Sequence, residues 1–223
     1  IEKNVFSNTQ IKKLSIPSSM VKFEEGWCQS TKDLTDIKII KNQKENIMYY
    51  DDKFILGKSN LESDVFDILY FARRDVKTPT IPEFIREIAP FAFERCNKLE
   101  IINIPSDSQL KIIGKDAFCS TTIKSISIPL HLTSICRGAF SSCMRLQSVE
   151  IPPNSELKTI DSFAFDYSSI ESISIPLHVT SIREGAFSFC RKLKRVDIPQ
   201  NSELENIEKD AFQNTQIEKF SIP

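Results

Sequence analysis

Glycine and histidine are scarce in this 223-residue chain, with 5 Gly, 2 His and a single Trp. So few glycines leave no Gly-rich loop to cradle a phosphate. Two histidines, without neighbouring ligands at metal spacing, leave no zinc site and no His-centred catalytic set. Charge of one sign is also missing. Lys+Arg 29 against Asp+Glu 30 gives a net charge of −1, too little to hold nucleic acid or an anionic membrane surface. No apolar run approaches the roughly 18 residues of a membrane span. No signal-peptide pattern opens the chain, and no Asn-x-Ser/Thr acceptor occurs. These absences predict a protein that is not an enzyme and needs no cofactor.

Proline is plentiful, and eight of the 11 prolines follow an Ile: Pro17, Pro82, Pro105, Pro129, Pro152, Pro176, Pro199 and Pro223. From Ile81 onward the Ile-Pro sites are spaced alternately by 23 and 24 residues, a pair of repeats 47 residues long. The longer repeat carries extra residues after Ile-Pro, as in Asn154-Ser155 and Asn201-Ser202, and lacks one after its Phe. Ile39 fills an Ile-Pro site without the Pro. The 42 residues from Ile39 to Ile81 then exceed a 24-residue repeat by 18, so an insertion of that size is expected there.

Each Ile-Pro site ends an apolar-x-x-apolar-x-Ile set, such as Leu146/Val149/Ile151. Apolar residues two apart share one face of a strand, and a following Pro ends the ladder for want of an N–H. This is the one-strand-per-repeat pattern of leucine-rich repeats. The return half, as in Leu132/Ile135/Ala139/Phe140, reads as an extended piece followed by about one helical turn. Each Phe is expected to stack on its successor. The expected fold is a right-handed leucine-rich-repeat solenoid spanning residues 1–223. It would have nine coils, a parallel concave sheet of short strands, and single helical turns on the convex side.

Three residues beyond successive Phe positions stand Cys96, Thr121, Cys143, Ser168, Cys190 and Thr215. They are expected to form an internal ladder that satisfies the backbone of the bend. Cys96, Cys143 and Cys190 lie two coils apart, about 9–10 Å at the strand spacing. That exceeds the roughly 7 Å that a disulfide spans, so reduced thiols are predicted.

The string Ile-Pro…Ile-x-x-x-Ala-Phe-x-x-Cys-x-x-Leu-x-x-Ile/Val-x-Ile-Pro, in Ile128–Pro152 and Ile175–Pro199, resembles the BspA-type leucine-rich repeats of bacterial and protozoan surface proteins. The stretch from Lys58 to Asp75 is similar to a segment common in the protozoan members. The resemblance implies a cell-surface or secreted adhesin or antigen that binds host or extracellular-matrix proteins. An intracellular protein-interaction scaffold in the cytoplasm is the alternative, and reduced cysteines fit it.

Two places are candidates for binding. The concave strands present Ile101 and Asn103, Ser125 and Ser127, Ser148 and Glu150, Ser172 and Ser174, and Arg195 and Asp197, either a docking surface or a plain solvated sheet. The insertion, approximately residues 42–59, reads as a β-hairpin turning at Asp51-Asp52. Overhanging the concave rim, it would offer Tyr49, Tyr50 and Phe54 to a partner. His131 and His178 read as exposed turn residues, and Arg73-Arg74-Asp75 as a solvated charge cluster. Residues 1–11 nearly duplicate 207–217, and neither end carries a polar cap. End-to-end self-association is therefore expected.

Overall fold

The computed structural model describes residues 1–220. Fifteen short strands follow one another along the chain. They are β1 (Lys13–Pro17), β2 (Asp36–Ile40), β3 (Ile47–Tyr50), β4 (Phe54–Gly57), β5 (Ile68–Ala72), β6 (Glu87–Ile88), β7 (Ile112–Ile113) and β8 (Ser125–Ser127). The rest are β9 (Ser134–Ile135), β10 (Ser148–Glu150), β11 (Thr159–Ile160), β12 (Ser172–Ser174), β13 (Ser181–Ile182), β14 (Arg195–Asp197) and β15 (Asn206–Ile207). The chain winds as a solenoid of about 8 turns. The expected ninth coil is not confirmed, and its Ile-Pro site, Ile222-Pro223, lies outside the described residues.

The concave wall is segmented. Parallel ladders join β1 to β2, β8 to β10 and β12 to β14, and an isolated bridge joins Thr80 to Asn103. Each of these joins positions 23 residues apart. Across the 24-residue steps from Asn103 to Ser127 and from Glu150 to Ser174 no ladder forms. Single hydrogen bonds remain there, from Lys124 to Glu100 and from Glu171 to Gln147 (3.4 and 3.3 Å), whereas a bridge joins Arg195 to Lys219 across the next such step. In the longer repeats the turn after Ile-Pro closes through the inserted serine. The Ser155 amide donates to the Pro152 carbonyl (3.0 Å), and its hydroxyl accepts from the Leu157 amide (3.3 Å).

A second wall is continuous. The two-residue strands β6, β7, β9, β11, β13 and β15 pair in parallel, one per coil, each burying an Ile such as Ile113, Ile135 or Ile160. Only β15 departs from this, with Ile207 at 37% exposure.

The return segment corrects the expected helical turn: no helix occurs among the described residues. Outside the insertion-bearing coil, whose Phe71 lies in β5, each segment instead holds two left-handed residues four apart. They flank Ala-Phe, as with Asp116 (φ 52°) and Ser120 (φ 58°), or Gly138 (φ 64°) and Ser142 (φ 57°). A positive φ ends right-handed helix at once. Alternate amides face the next coil instead, where Gly138, Phe140 and Ser142 donate to the carbonyls of Ser162, Ala164 and Asp166 (3.0, 2.7 and 2.8 Å). Three inter-coil hydrogen bonds replace the intrahelical ones and satisfy the buried backbone.

Inside the three walls the phenylalanines form one column. Phe93, Phe118, Phe140, Phe165, Phe187 and Phe212 stack with centroids 4.8–5.3 Å apart and rings within 15° of parallel. All but Phe212 are fully buried.

The insertion does not overhang the concave rim. Strands β3 and β4 form a hairpin through Asp51 and Asp52, both left-handed (φ 50° and 48°). Three residues, Asp51 to Lys53, separate the paired ends Tyr50 and Phe54, and the left-handed pair is closed by the Lys53 amide donating to the Tyr50 carbonyl (3.0 Å), a type I′ pattern followed by one extra residue. The hairpin continues antiparallel into β5, and β5 runs parallel to β6, so the insertion extends the continuous wall. It also divides the interior. Phe54, Leu56, Leu69 and Ala72 pack into the large C-terminal core. Ile47, Ile55 and Phe71 pack with Phe23, Trp27, Leu34 and Ile37 in a smaller N-terminal core. The period of two in a strand thus becomes a septum with apolar packing on both faces.

Candidate functional site

The ladder position three residues after each Phe is a column at the heart of the molecule. Cys96, Cys143 and Cys190 are buried, as are Thr121 and Ser168, and Thr215 is half-buried. The Cys143 thiol donates to the Phe118 carbonyl of the preceding coil and the Cys190 thiol to that of Phe165, both at 3.1 Å. Thr121 and Ser168 touch those sulfurs at 3.3 and 3.2 Å. The Thr215 hydroxyl donates to Phe212 in its own coil (2.9 Å), as Cys96 does weakly to Arg73 (3.7 Å) in the coil before. All six cysteines are free. Burial pushes the Cys143 thiol up to about 12 and the Cys190 thiol to about 11, which suppresses thiolate chemistry.

Sequence reasoning missed two members of this column. Thr31 is fully buried and donates to the Cys28 carbonyl (2.6 Å). Arg74 follows Phe71 by three and is 3% exposed, not part of a solvated cluster. Its guanidinium donates to the carbonyls of Ala92 (2.9 Å), Phe91 (3.3 Å) and Thr31 (3.3 Å), between the sulfurs of Cys28 and Cys96 and over the Phe71 ring. Where the septum interrupts the stacking of coils, a long five-donor side chain reaches carbonyls that a Thr or Cys would leave orphaned. The clue was the three-residue offset of Arg74 from Phe71, the same offset that places Cys96 after Phe93. Its neighbour Arg73 forms the surface ion pair with Asp75 (2.8 Å).

Of the candidate insertion aromatics, Phe54 is fully buried against Phe93 (6.0 Å) and is corrected from a ligand contact to a core residue. Tyr49 is half-buried, and its hydroxyl donates to the Asp52 carbonyl (2.9 Å). Tyr50 packs edge-on against Phe84 (5.9 Å). The three do not form one exposed patch, because neighbouring strand residues face opposite cores.

The concave candidates are spread along one face. Ser125, Ser127, Ser148, Glu150, Ser174, Arg195 and Asp197 are exposed, and Ser172 is half-buried. Ile101 is 48% exposed beside Asn103, whose strand pairs with Thr80. Ser127 donates to Glu150 (3.0 Å), and Arg195 pairs with Asp197 (3.0 Å) along its own strand. The missing ladder between β10 and β12 leaves a polar groove of about 580 Å³, lined by Ser148, Glu150, Glu171, Ser172 and Ser174. Beside it, at the rim, three Ile-Pro turns enclose a groove of about 420 Å³ walled by Ile151, Pro153, Ile175, Leu177, Ile198 and Pro199. The recurrence of Ile-Pro was the available signal for this apolar groove. His131 and His178 sit on the outer edge, each meeting a carboxylate of the next coil, Glu156 (2.7 Å) and Glu203 (2.8 Å). Among the described residues no cluster could hold a metal, and no helix is long and apolar enough to cross a membrane.

Known proteins share this architecture. Residues 1–69, 66–156 and 111–223 match the BspA type leucine rich repeat region, in six copies. A leucine rich cell surface protein from Faecalibacterium prausnitzii is similar with a TM-score of 0.77 and 24% identity, over 88% of this chain and 50% of that one. A leucine-rich repeat protein from Eubacterium ventriosum gives 0.76 and 19%, over 99% and 63%. The pneumococcal vaccine antigen PcpA gives 0.57 and 16%, over 100% and 51%. The chain therefore spans half to somewhat under two-thirds of these structures. Comparison with curated proteins gave no match. Matched along its whole length and built on the same coil, the chain belongs to the BspA-type leucine-rich-repeat family.

Proposed function

We propose that the chain is a non-catalytic protein-interaction module of a cell-surface protein, docking a host or matrix protein along its concave face. The observation that carries this reading is the adjacency of two unlike surfaces near β10, β12 and β14. One is a polar, partly unladdered sheet face with Glu150, Arg195 and Asp197 exposed. The other is the apolar Ile-Pro groove at its rim. An apolar patch bordered by hydrogen-bonding groups is the common anatomy of protein interfaces. The cell surface protein and the vaccine antigen among its structural neighbours support the location.

The test compares wild type with the charge-reversed Arg195→Glu/Asp197→Arg variant for binding to immobilised matrix proteins and host-cell membranes. Loss of binding with an unchanged circular dichroism spectrum supports the concave face, and equal binding refutes it. The free, buried cysteines favour a second reading, an intracellular scaffold, since reduced thiols persist in the cytosol. Antibody labelling of intact cells separates the two: surface staining retains the first reading, and staining only after permeabilisation replaces it with the second.

A further inference from the structure

The septum creates a groove that no coil of the regular array has. Where β4 meets β5 the register shifts: Ile55 pairs with Phe71 and Leu56 with Leu69, so Tyr70 is the extra residue of a β-bulge. A bulge re-aims a side chain. Tyr70 and Phe71 both turn toward the N-terminal core instead of alternating. The Tyr70 ring lies against Phe23 (4.8 Å), which lies against Trp27 (4.7 Å). These three aromatics, with Ile68, Glu87 and Pro90, line a groove of about 230 Å³, room for roughly seven or eight waters.

The charges around it are unequal. The rim cations are already matched: Lys22 pairs with Glu24 (2.7 Å) and Lys115 with Glu25. Lys22 lines the rim with its side chain 70% exposed. Glu87, half-buried in the lining, has no hydrogen bond or ion pair to its side chain among the described residues. The nearby Asp67 is buried and fully engaged, accepting from the Ser59 amide (2.8 Å) and hydroxyl (2.7 Å). It supplies a second negative charge without a cation. Burial and that charge raise the Glu87 carboxyl above its ordinary value, and burial with Glu87 and Asp67 raises the Tyr70 hydroxyl. A half-buried carboxylate without a counter-ion beside aromatic rings is complementary to a planar cation. Such a cation pairs with the carboxylate through two N–H groups and is attracted to the ring faces.

We propose that this groove is a docking site for an arginine side chain of a protein partner, with Glu87 as the ion-pair acceptor and Tyr70 as the stacking wall. The site lies on the continuous wall, in a different sheet from the concave strands, and stands independently of the concave face. Trp27, the only tryptophan, reports on it directly. Its fluorescence is titrated with acetyl-Gly-Arg-Gly-amide and with the same peptide carrying citrulline, the neutral isostere of arginine. The arginine peptide should give a saturable change, with the citrulline peptide weaker by about tenfold or more, the range of a charge-assisted pair. Glu87→Gln should weaken the arginine peptide by a similar factor, and Tyr70→Ala should weaken it too. Glu205→Gln, exposed in a distant coil and outside the groove, should leave it nearly unchanged. Far-UV circular dichroism verifies that each variant is folded. No saturable response, equal binding of both peptides, or an unaffected Glu87→Gln variant would each overturn the proposal.

Discussion

Phe140 is the place to test whether the aromatic column carries the solenoid. Its ring is fully buried and lies between Phe118 and Phe165, 5.2 Å from each, with interplanar angles of 4° and 5°. Phe140→Ala removes a whole ring from a close-packed site and both of its stacking partners. Phe→Ala in a core costs about 3–5 kcal/mol, and aromatic pairs add about 0.5–1.5 kcal/mol each beyond the area buried, which places this variant near the top of that range. Phe212, half-exposed, stacks closely only on Phe187 (5.3 Å, 2°), while Phe220 is tilted by 57°. Phe212→Ala should cost about 2 kcal/mol, because less surface leaves water and the cavity opens to solvent. Urea unfolding followed by circular dichroism gives both losses. Trp27 fluorescence adds a local reading of the smaller core across the septum. A single cooperative unit moves both transitions together. A loss under about 1 kcal/mol at Phe140, far below the range for a buried aromatic, would refute the column as a source of stability. An equal loss at Phe212 would refute the dependence on position.

Three further predictions follow from local geometry. Gly138→Ala would place a Cβ 2.1 Å from Asp116 Oδ1 at a φ of 64°, and should lower stability in the same urea titration by about 1–2 kcal/mol through backbone strain alone. Replacing the hairpin turn by Asp51→Asn with Asp52→Gly suits the left-handed pair and should raise stability by about 0.5–1 kcal/mol, read as a higher melting temperature. The Cys28 and Cys143 thiols, ordinarily near 9.0, are pushed up to about 12 by burial. The unfolded chain therefore loses these protons first, so their contribution is complete below pH 9 and is lost as pH rises toward 12. Urea midpoints should fall over that window, less steeply in Cys143→Ala, and thiol reagents should modify Cys119 and Cys136 before the buried four.

The repeat arithmetic made the coil, its strand and the Phe stack legible, because these depend on apolar residues at fixed spacing. The 18-residue excess also marked the place of a hairpin. What spacing could not show was conformation that several residue types share. The left-handed positions hold Asn, Asp, Ser, Gly, Arg, Phe and Tyr across the coils, so no composition rule flags them, and the return segment read as a helical turn. Phe54 and Tyr49 read as interface aromatics because an insertion is normally a surface feature. Here both faces of its strands are covered, and alternation sends neighbours into separate cores. Arg74 looked like surface charge because a buried guanidinium needs several carbonyls converging on it, and only the fold brings Thr31, Phe91 and Ala92 together. The rim groove arises from three turns lying side by side, a relation that sequence order conceals.

The two β walls of the solenoid also differ mechanically. One wall is hydrogen-bonded without interruption from β3 to β15, whereas the concave wall is tied in pairs and left unladdered at two 24-residue steps. Bending that opens the concave side concentrates at those steps and breaks few backbone bonds, while bending that stretches the continuous wall must break a ladder in every coil. The rod is therefore compliant in one direction and stiff in the other. A partner seated on the concave face meets a surface that changes its curvature at two places, 47 residues apart, between Asn103 and Ser127 and between Glu150 and Ser174.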